Sequence, residues 1–399
     1  MQNFLHTQKT EIAASNNRPI HLRGVNLGGW LMMEAYILHT PNFPEKSFRK
    51  NFAKVLGEQA LAQFDEAFRV NFITEKDIQK IARLGFNCLR IPFHYRVVES
   101  KPFEFKASGL KYLDRVVSWA KKNKIWIILD LHAAPGSQNH DWHSDSSGKT
   151  DFWHTQSYQE RAIALWEFLA DRYRNEEFVA GFDLLNEAVL SDSQKLNHWY
   201  KRVIRKIRAV NRNQILFVEG NRWAQDLEIL EDIEDDNYVL SIHAYEPIDF
   251  TAHFVPHLSY PLNGQRSWNK AASRQLLYKY HQIAQKCQVP LYVGEFGVNN
   301  RQGFSGEHLW VRDMLSCFKE FGFHWTYWTY KAVKNHIFPD GIFSYCGNPL
   351  WVNWAGPRTG WETFSLHWPQ RKKEMIASWH TDQFKENPFI LKALGDALR

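Results

Sequence analysis

The chain has 399 residues, 44% of them hydrophobic and 23% charged. That balance excludes a disordered chain, which is too poor in apolar residues to bury a core. Forty-nine basic against forty-three acidic side chains leave +6, a thin bias over this length with no long block of like charges, so a nucleic-acid partner is not expected. The aromatic count stands out at 17 Trp, 15 Tyr and 28 Phe. Part must fill a core, and the remainder points to carbohydrate, because aromatic faces pack on the C–H faces of sugars. Cys88, Cys287, Cys317 and Cys346 have neither CxxC spacing nor disulfide-framework density. The opening MQNFLHTQKTEIAAS carries no apolar leader run, and no stretch is long and apolar enough for a membrane span. A cytoplasmic protein, or one whose leader has been removed, is expected.

Short apolar segments alternate with longer amphipathic ones along the whole chain. The first strand is expected at 21–26 (HLRGVN), followed after a long insertion by a helix over 74–85 with Thr74 as cap and Gly85 as terminator. Strand 87–93 (NCLRIPF) precedes a helix over 108–124, whose Leu110, Leu113, Val117 and Ala120 share one stripe. Strand 125–132 (IWIILDLH) precedes helix 157–174, and strand 179–186 (VAGFDLLN) precedes helix 193–210. Strands 214–220 (QILFVEG) and 238–245 (YVLSIHAY) follow, then helix 270–287, strand 290–296 (PLYVGEF), helix 306–322 and strand 324–330 (HWTYWTY). Near-continuous apolar strands separated by helices predict an α/β fold, a single (β/α)₈ TIM barrel over 1–399. A doubly wound open sheet is the alternative; GVNLGG at 24–29 has its glycines but no acidic ribose-binding residue at the required spacing. Insertions at 31–73, 133–156 and 331–370 all leave strand C-termini, the face where barrel enzymes keep their active sites.

Glu187 closes the fourth strand and Glu295 the seventh. One acid at a strand end is ordinary, but two at the same end of one barrel make a pair that can cleave a glycosidic bond. One protonates the leaving oxygen while the other attacks or stabilises the oxocarbenium-like centre. The acid is expected to stay protonated in a less polar or anionic setting. Arg90 lies inside the second strand and needs a carboxylate partner, for which a catalytic Glu is the natural choice. His132, Asn186, His243, Tyr245 and Trp328 stand at the same end of successive strands.

The blocks RGVNLGGWLMME (23–34), LGFNCLRIPF (84–93), LDLHAAPGSQN (129–139), LLNEA (184–188), SIHAY (241–245), VGEFG (293–297) and WTYWTYK (325–331) resemble glycoside hydrolase family 5. They are most similar to its exo-β-1,3-glucanase and β-glucosidase branch. The resemblance implies retaining hydrolysis of a β-glucan or β-glucoside through a covalent glycosyl-enzyme, without metal or other cofactor, by a monomer. In it Glu187 is the acid/base and Glu295 the nucleophile. Arg90 holds Glu295, Asn186 binds the sugar 2-hydroxyl and His132 lines the −1 subsite. His243 and Tyr245 orient the glutamates, Trp328 is the platform beneath the sugar, and Glu34 closes the pocket on glucose hydroxyls. This chain departs from the family in having Ala188 where Pro usually follows the acid/base. Its 139–153 and 331–370 loops match the exo-glucanase pattern only in part. Linkage and exo or endo action stay open, and so does a glycolipid substrate, because glucosylceramidase-like and endoglycoceramidase-like members share the motifs.

Two other classes compete. His140 and His143 are spaced HxxH beside Asp141 and Asp145, a candidate metal set, although in a polar loop rather than on a helix. A non-catalytic sugar-binding barrel could use Trp142, Trp153, Trp223, Trp351, Trp354 and Trp361. The basic run KRVIRKIR (201–208) reads as the solvated face of a helix.

Overall fold

A computed structural model describes residues 4–39, 42–231, 233–264, 267–354 and 361–399, with the side chains of 361 and 362 outside that description. Eight parallel strands close into a barrel: β1 (Arg23–Asn26), β2 (Cys88–His94), β3 (Trp126–Ala133), β4 (Val179–Asp183), β5 (Ile215–Glu219), β6 (Tyr238–His243), β7 (Leu291–Phe296) and β8 (His324–Tyr327). Neighbours in the chain are neighbours in the barrel, and β8 returns to β1 with Trp325, Thr326 and Tyr327 opposite Arg23, Gly24 and Val25. Every expected strand forms. The largest shortfalls are at β4 and β8, which leave the ladder where the mouth opens: Asn186 and Glu187 lie past the end of β4, and Trp328 lies one residue past β8.

Helices Glu75–Arg83, Ala107–Lys122, Gln156–Tyr173, Ser193–Val210, Lys270–Cys287 and Glu307–Phe321 occupy the six expected places, and Pro388–Leu398 completes the eighth unit. At the first, the Thr74 N–H donates to Asp77 Oδ2 at 2.7 Å, and Gly85 follows the helix at φ +94°, a conformation that favours glycine. The Leu110, Leu113, Val117 and Ala120 stripe is buried. In the basic run, Lys201, Arg202 and Arg208 pair with Glu231, Glu160 and Asp235, which fits the solvated-face reading. The alternation is incomplete in one place: between β5 and β6 the described residues hold only the helical turn Asn221–Ala224.

Above the mouth, the first insertion folds into helices Glu45–Leu56 and Glu58–Asn71, and the third leads into helix Trp361–Trp379. Phe48, Phe52, Phe64 and Phe68 of the former pack edge-on or tilted against Phe364, Trp368 and Trp379 of the latter. These seven aromatic residues therefore form the core of this subassembly rather than a sugar-binding surface. Residues 40–41 and 355–360 of these insertions lie outside the described residues.

The opposite end is closed by the N-terminal segment, which hydrophobic periodicity does not reveal. Strands His6–Gln8, Glu11–Ala13 and Pro19–Ile20 form an antiparallel sheet. Its Leu5, Ile12, Ala14 and Ile20 pack on Ile128, Ile215, Phe217, Val239 and Tyr292 of the barrel strands. Strands of two or three residues are too short to register as a period. Truncating the fully buried Ile12 should leave a cavity beneath the barrel. Ile12→Ala is expected to lower stability by about 2–5 kcal/mol, read as a lower urea midpoint with kcat unchanged.

Candidate active site

Arg90 occupies the centre of the barrel and is fully buried. Its guanidinium donates to Glu295 Oε1 (2.7 Å), Asp183 Oδ2 (2.8 Å), Asn186 Oδ1 (2.9 Å), Asn26 Oδ1 (3.2 Å) and Glu219 Oε1 (3.3 Å), with Asp130 Oδ2 at 3.2 Å. The expected partner Glu295 is there, but so are three carboxylates that sequence reasoning missed. Asp130, Asp183 and Glu219 sit inside the apolar strings ILDLH, GFDLL and FVEG, and all three are fully buried. The available signal was an acid inside each of three apolar strands with an arginine inside a fourth. Asp130 and Asp183 are directly opposite in register, so their charges would repel without the cation between them. Burial pushes both carboxyls up, against the pull of Arg90.

Glu295 closes β7 and is held from both sides, by Arg90 at 2.7 Å and by the Tyr245 hydroxyl, which donates to Oε2 at 2.8 Å. Glu187 stands in the left-handed region at φ +49°, a strained conformation for a residue with a side chain. Two buried groups secure it. Its N–H donates to Glu219 Oε2 at 2.6 Å, and its carbonyl accepts from Asn139 Nδ2 at 2.9 Å. Gln138 Nε2 likewise donates to the carbonyls of His132 and Asn186. The GSQN stretch therefore clamps the end of β4, a role not read from the motif. Its Gly136 is at φ +80°, where a Cβ would lie 2.3 Å from Tyr158.

His243 joins the two glutamates. Its Nδ1 lies 2.7 Å from Glu187 Oε1 and 3.6 Å from Glu295 Oε2, and its Nε2 lies 3.2 Å from Glu219. Burial alone would favour the neutral ring, but the surrounding carboxylates push its pKa well up. One oxygen of Glu187, one of Glu295 and a ring nitrogen of His243 lie within 4.8 Å of one another. Glu187 and Glu295 keep 8% and 4% of their surface exposed, whereas Arg90, Asp130, Asp183 and Glu219 keep none. The two glutamates thus keep a small exposed surface above a fully buried foundation.

The less polar or anionic setting expected to keep the acid protonated does not prevail at Glu187. Burial pushes its carboxyl up, but the hydrogen bond and charge of His243 and the charge of His143 outweigh that and hold it below the usual range. Glu34, beside the two glutamates, is pushed up to about 8 by burial, with Glu295 and Glu187 nearby.

The remaining predicted residues gather at the same point. His132 Nδ1 lies 2.8 Å from Asp130, and its ring, kept neutral by burial, stacks on Trp328 at 5.5 Å and 7°. The Trp328 indole N–H is bonded to the Tyr36 hydroxyl. Asn186 Nδ2 and Glu34 Oε2 are buried without a hydrogen-bond partner among the described residues. Ala188 is buried, and its carbonyl accepts from the Trp223 N–H at 3.4 Å.

The HxxH residues do not share one point. Asp145 accepts from the Lys46 N–H and from Arg96 and lies 3.1 Å from His94, tying the second insertion to the first. His140 is half exposed, whereas His143 turns inward to Glu187. Among the described residues, three potential ligands converge only at Glu187, His243 and Glu295. There the Arg90 guanidinium and a readily protonated His243 already supply the positive charge. Of the six loop tryptophans, Trp153 and Trp351 are buried and bond to Gln138 O and Ser378. Trp142, Trp223 and Trp354 are half-buried, and the Trp361 side chain lies outside the described residues.

Residues 53–334 match the family model for cellulase, glycosyl hydrolase family 5. A β-xylosidase of Phanerodontia chrysosporium is 33% identical over 83% of this chain and 71% of its own length. Endoglucanase C of Acetivibrio thermocellus is 31% identical over 79% of this chain and 93% of its own. A probable glucan 1,3-beta-glucosidase A of Emericella nidulans is 30% identical over 69% and 66%. The solved structure of endoglucanase Cel5A from Thermotoga maritima shares the barrel, with a TM-score of 0.62 at 18% identity over 94% of this chain and 96% of its own. Taken with the closed eight-stranded barrel, these matches make the chain a member of glycosyl hydrolase family 5, the cellulase family, and a glycoside hydrolase.

Proposed function

We propose that the protein hydrolyses β-glucosidic bonds of a β-glucan or related β-glucoside by double displacement, with retention at the anomeric carbon. The observation that carries this reading is the separation of at most 4.8 Å between an oxygen of Glu187 and one of Glu295. Retaining glycosidases hold their carboxyl groups about 5–5.5 Å apart, and inverting ones leave about 6.5–9.5 Å for a water molecule. The substrate class is supported by relatives whose names specify glucan or a β-linked sugar.

Glu295 is the nucleophile. Arg90 and Tyr245 hold its carboxylate by one oxygen each, which fixes its direction of attack. Glu187 is the acid/base. At rest the proton of the Glu187–His243 pair sits on the imidazole side. Substrate entering over the cleft expels water and favours the protonated carboxyl. The proton then crosses the 2.7 Å hydrogen bond to Glu187, which delivers it to the leaving oxygen as Glu295 bonds to the anomeric carbon. Esterification removes the charge of Glu295, so Glu187 ionises more readily and can take a proton from the incoming water. Asn186 Nδ2, unpartnered within the protein, is the donor for the 2-hydroxyl. Trp328, rigid against His132 and Tyr36, is the platform beneath the sugar.

A hydrolysis panel of laminarin oligosaccharides, cello-oligosaccharides, aryl β-glucosides and glucosylceramide identifies the substrate. Early release of glucose alone means exo action. Proton NMR of the first product should show the β anomer; an α product would mean inversion. On the best aryl glycoside, Glu295→Gln should abolish nearly all turnover. Glu187→Ala should lose about 10²–10⁴-fold in kcat on substrates with poor leaving groups and regain rate with azide; no rescue would remove Glu187 from the acid/base role. Arg90→Lys should cost at least about 10²-fold, because a point charge cannot replace the planar fork. Activity within a few-fold of wild type would dismiss the Arg90–Glu295 contact as functional. Trp328→Ala should lower kcat/KM with an unaltered circular dichroism spectrum, and unchanged kcat/KM would take Trp328 out of the site.

A further inference from the structure

We propose that His143 is a positioning residue for Glu187: a buried imidazolium, held by the Asp141–Trp223 pair, that acts as a second cation on the carboxyl serving as acid/base. The proposal rests on the role given to Glu187 above.

His143 is 8% exposed and belongs to the insertion after β3 rather than to any barrel strand. Its Nε2 lies 3.4 Å from Glu187 Oε2 and 3.6 Å from Asp141 Oδ2. His243 approaches the other oxygen, Oε1, at 2.7 Å. Each oxygen of Glu187 thus has its own imidazole, one from the barrel wall and one from the loop. Asp141 is tied in turn to the β5 loop, because the Trp223 indole N–H donates to its Oδ2 at 2.7 Å. Residues 222–224 of that loop all take positive φ, so the backbone presenting Trp223 is itself strained.

The groups facing His143 settle its charge. Burial disfavours the imidazolium, but the nearby carboxylates of Asp141, Glu187 and Glu34 outweigh it and push the ring up to about 9. His132, whose ring centre is 5.9 Å away, is kept neutral by burial and opposes this only weakly. His140 touches Asp141 from the exposed side, and His243 with Glu219 lies beyond Glu187. Near neutral pH His143 is therefore a fixed positive charge against an ionisable carboxyl, and it favours the deprotonated form of Glu187.

The alkaline limb of the kcat/KM profile reports loss, in the free enzyme, of the proton that the Glu187–His243 pair holds. His143→Gln removes a cation 3.4 Å from Glu187, so this limb should move up by about one pH unit. Asp141→Asn leaves the ring in place but removes the anion that keeps it charged, and should move the limb in the same direction by less. Profiles are measured on an aryl β-glycoside turned over by the wild type. A purely structural role would lower kcat or stability and leave the limb where it is. An unmoved or lowered limb in His143→Gln overturns the proposal. Should that variant fail to fold, Asp141→Asn decides by the same criterion. Azide rescue of Glu187→Ala separates the two layers: rescue with unmoved limbs refutes only the role of His143, whereas failure of rescue refutes the role of Glu187 beneath it.

Discussion

A single guanidinium organises the mouth of this barrel. Arg90 reaches side-chain oxygens from β1, β3, β5 and β7, from the end of β4 and from the turn just past it. A buried arginine with so many partners is not an efficient source of stability, because removing its charge and theirs from water costs several kcal/mol per ion. Its value lies in preorganisation. The planar fork sets where each oxygen points, and Glu295 is aimed before any substrate arrives.

Negative charge still exceeds positive around Arg90, and protons make up the difference. Glu34, Asp130 and Asp183 are pushed toward the neutral acid by burial, while His243 and His143 are pushed toward the imidazolium by the carboxylates around them. These groups titrate as a network, so the protonation of Glu187 belongs to all of them rather than to its own surroundings alone. Strained backbone also occurs at this place. The left-handed Glu187 backbone is held through Glu219 and Asn139, and the left-handed run at 222–224 carries the indole that holds Asp141. Loop and barrel are joined at the residue whose ionisation matters most.

Legibility in the sequence differs by kind of residue. Glu187, Glu295, His243 and Tyr245 stand at or just past the C-terminal ends of apolar strands, where a polar side chain has no packing role and announces itself. Arg90, inside its strand, is visible because a buried guanidinium requires a carboxylate partner. Asp130, Asp183 and Glu219 do not stand out, because an acid within a strand could belong to either face until the register is known. Spacing groups His143 with His140, yet one turns inward and the other outward. A short 3₁₀ turn at Trp142–Ser144 sets that orientation, and no periodicity encodes it. The loop aromatics divide in a similar way, since seven Phe and Trp side chains pack the first insertion against the third.

The order of strands and helices, the barrel and the acids at two strand ends were written into the chain, because hydrophobic periodicity and strand-end polarity are local properties read over a few residues. Which carboxylates share Arg90, which imidazoles flank Glu187 and which carboxyls keep their protons arose only on folding. Those outcomes depend on distances of about 3 Å between groups up to 205 residues apart, and on burial, which no isolated segment possesses.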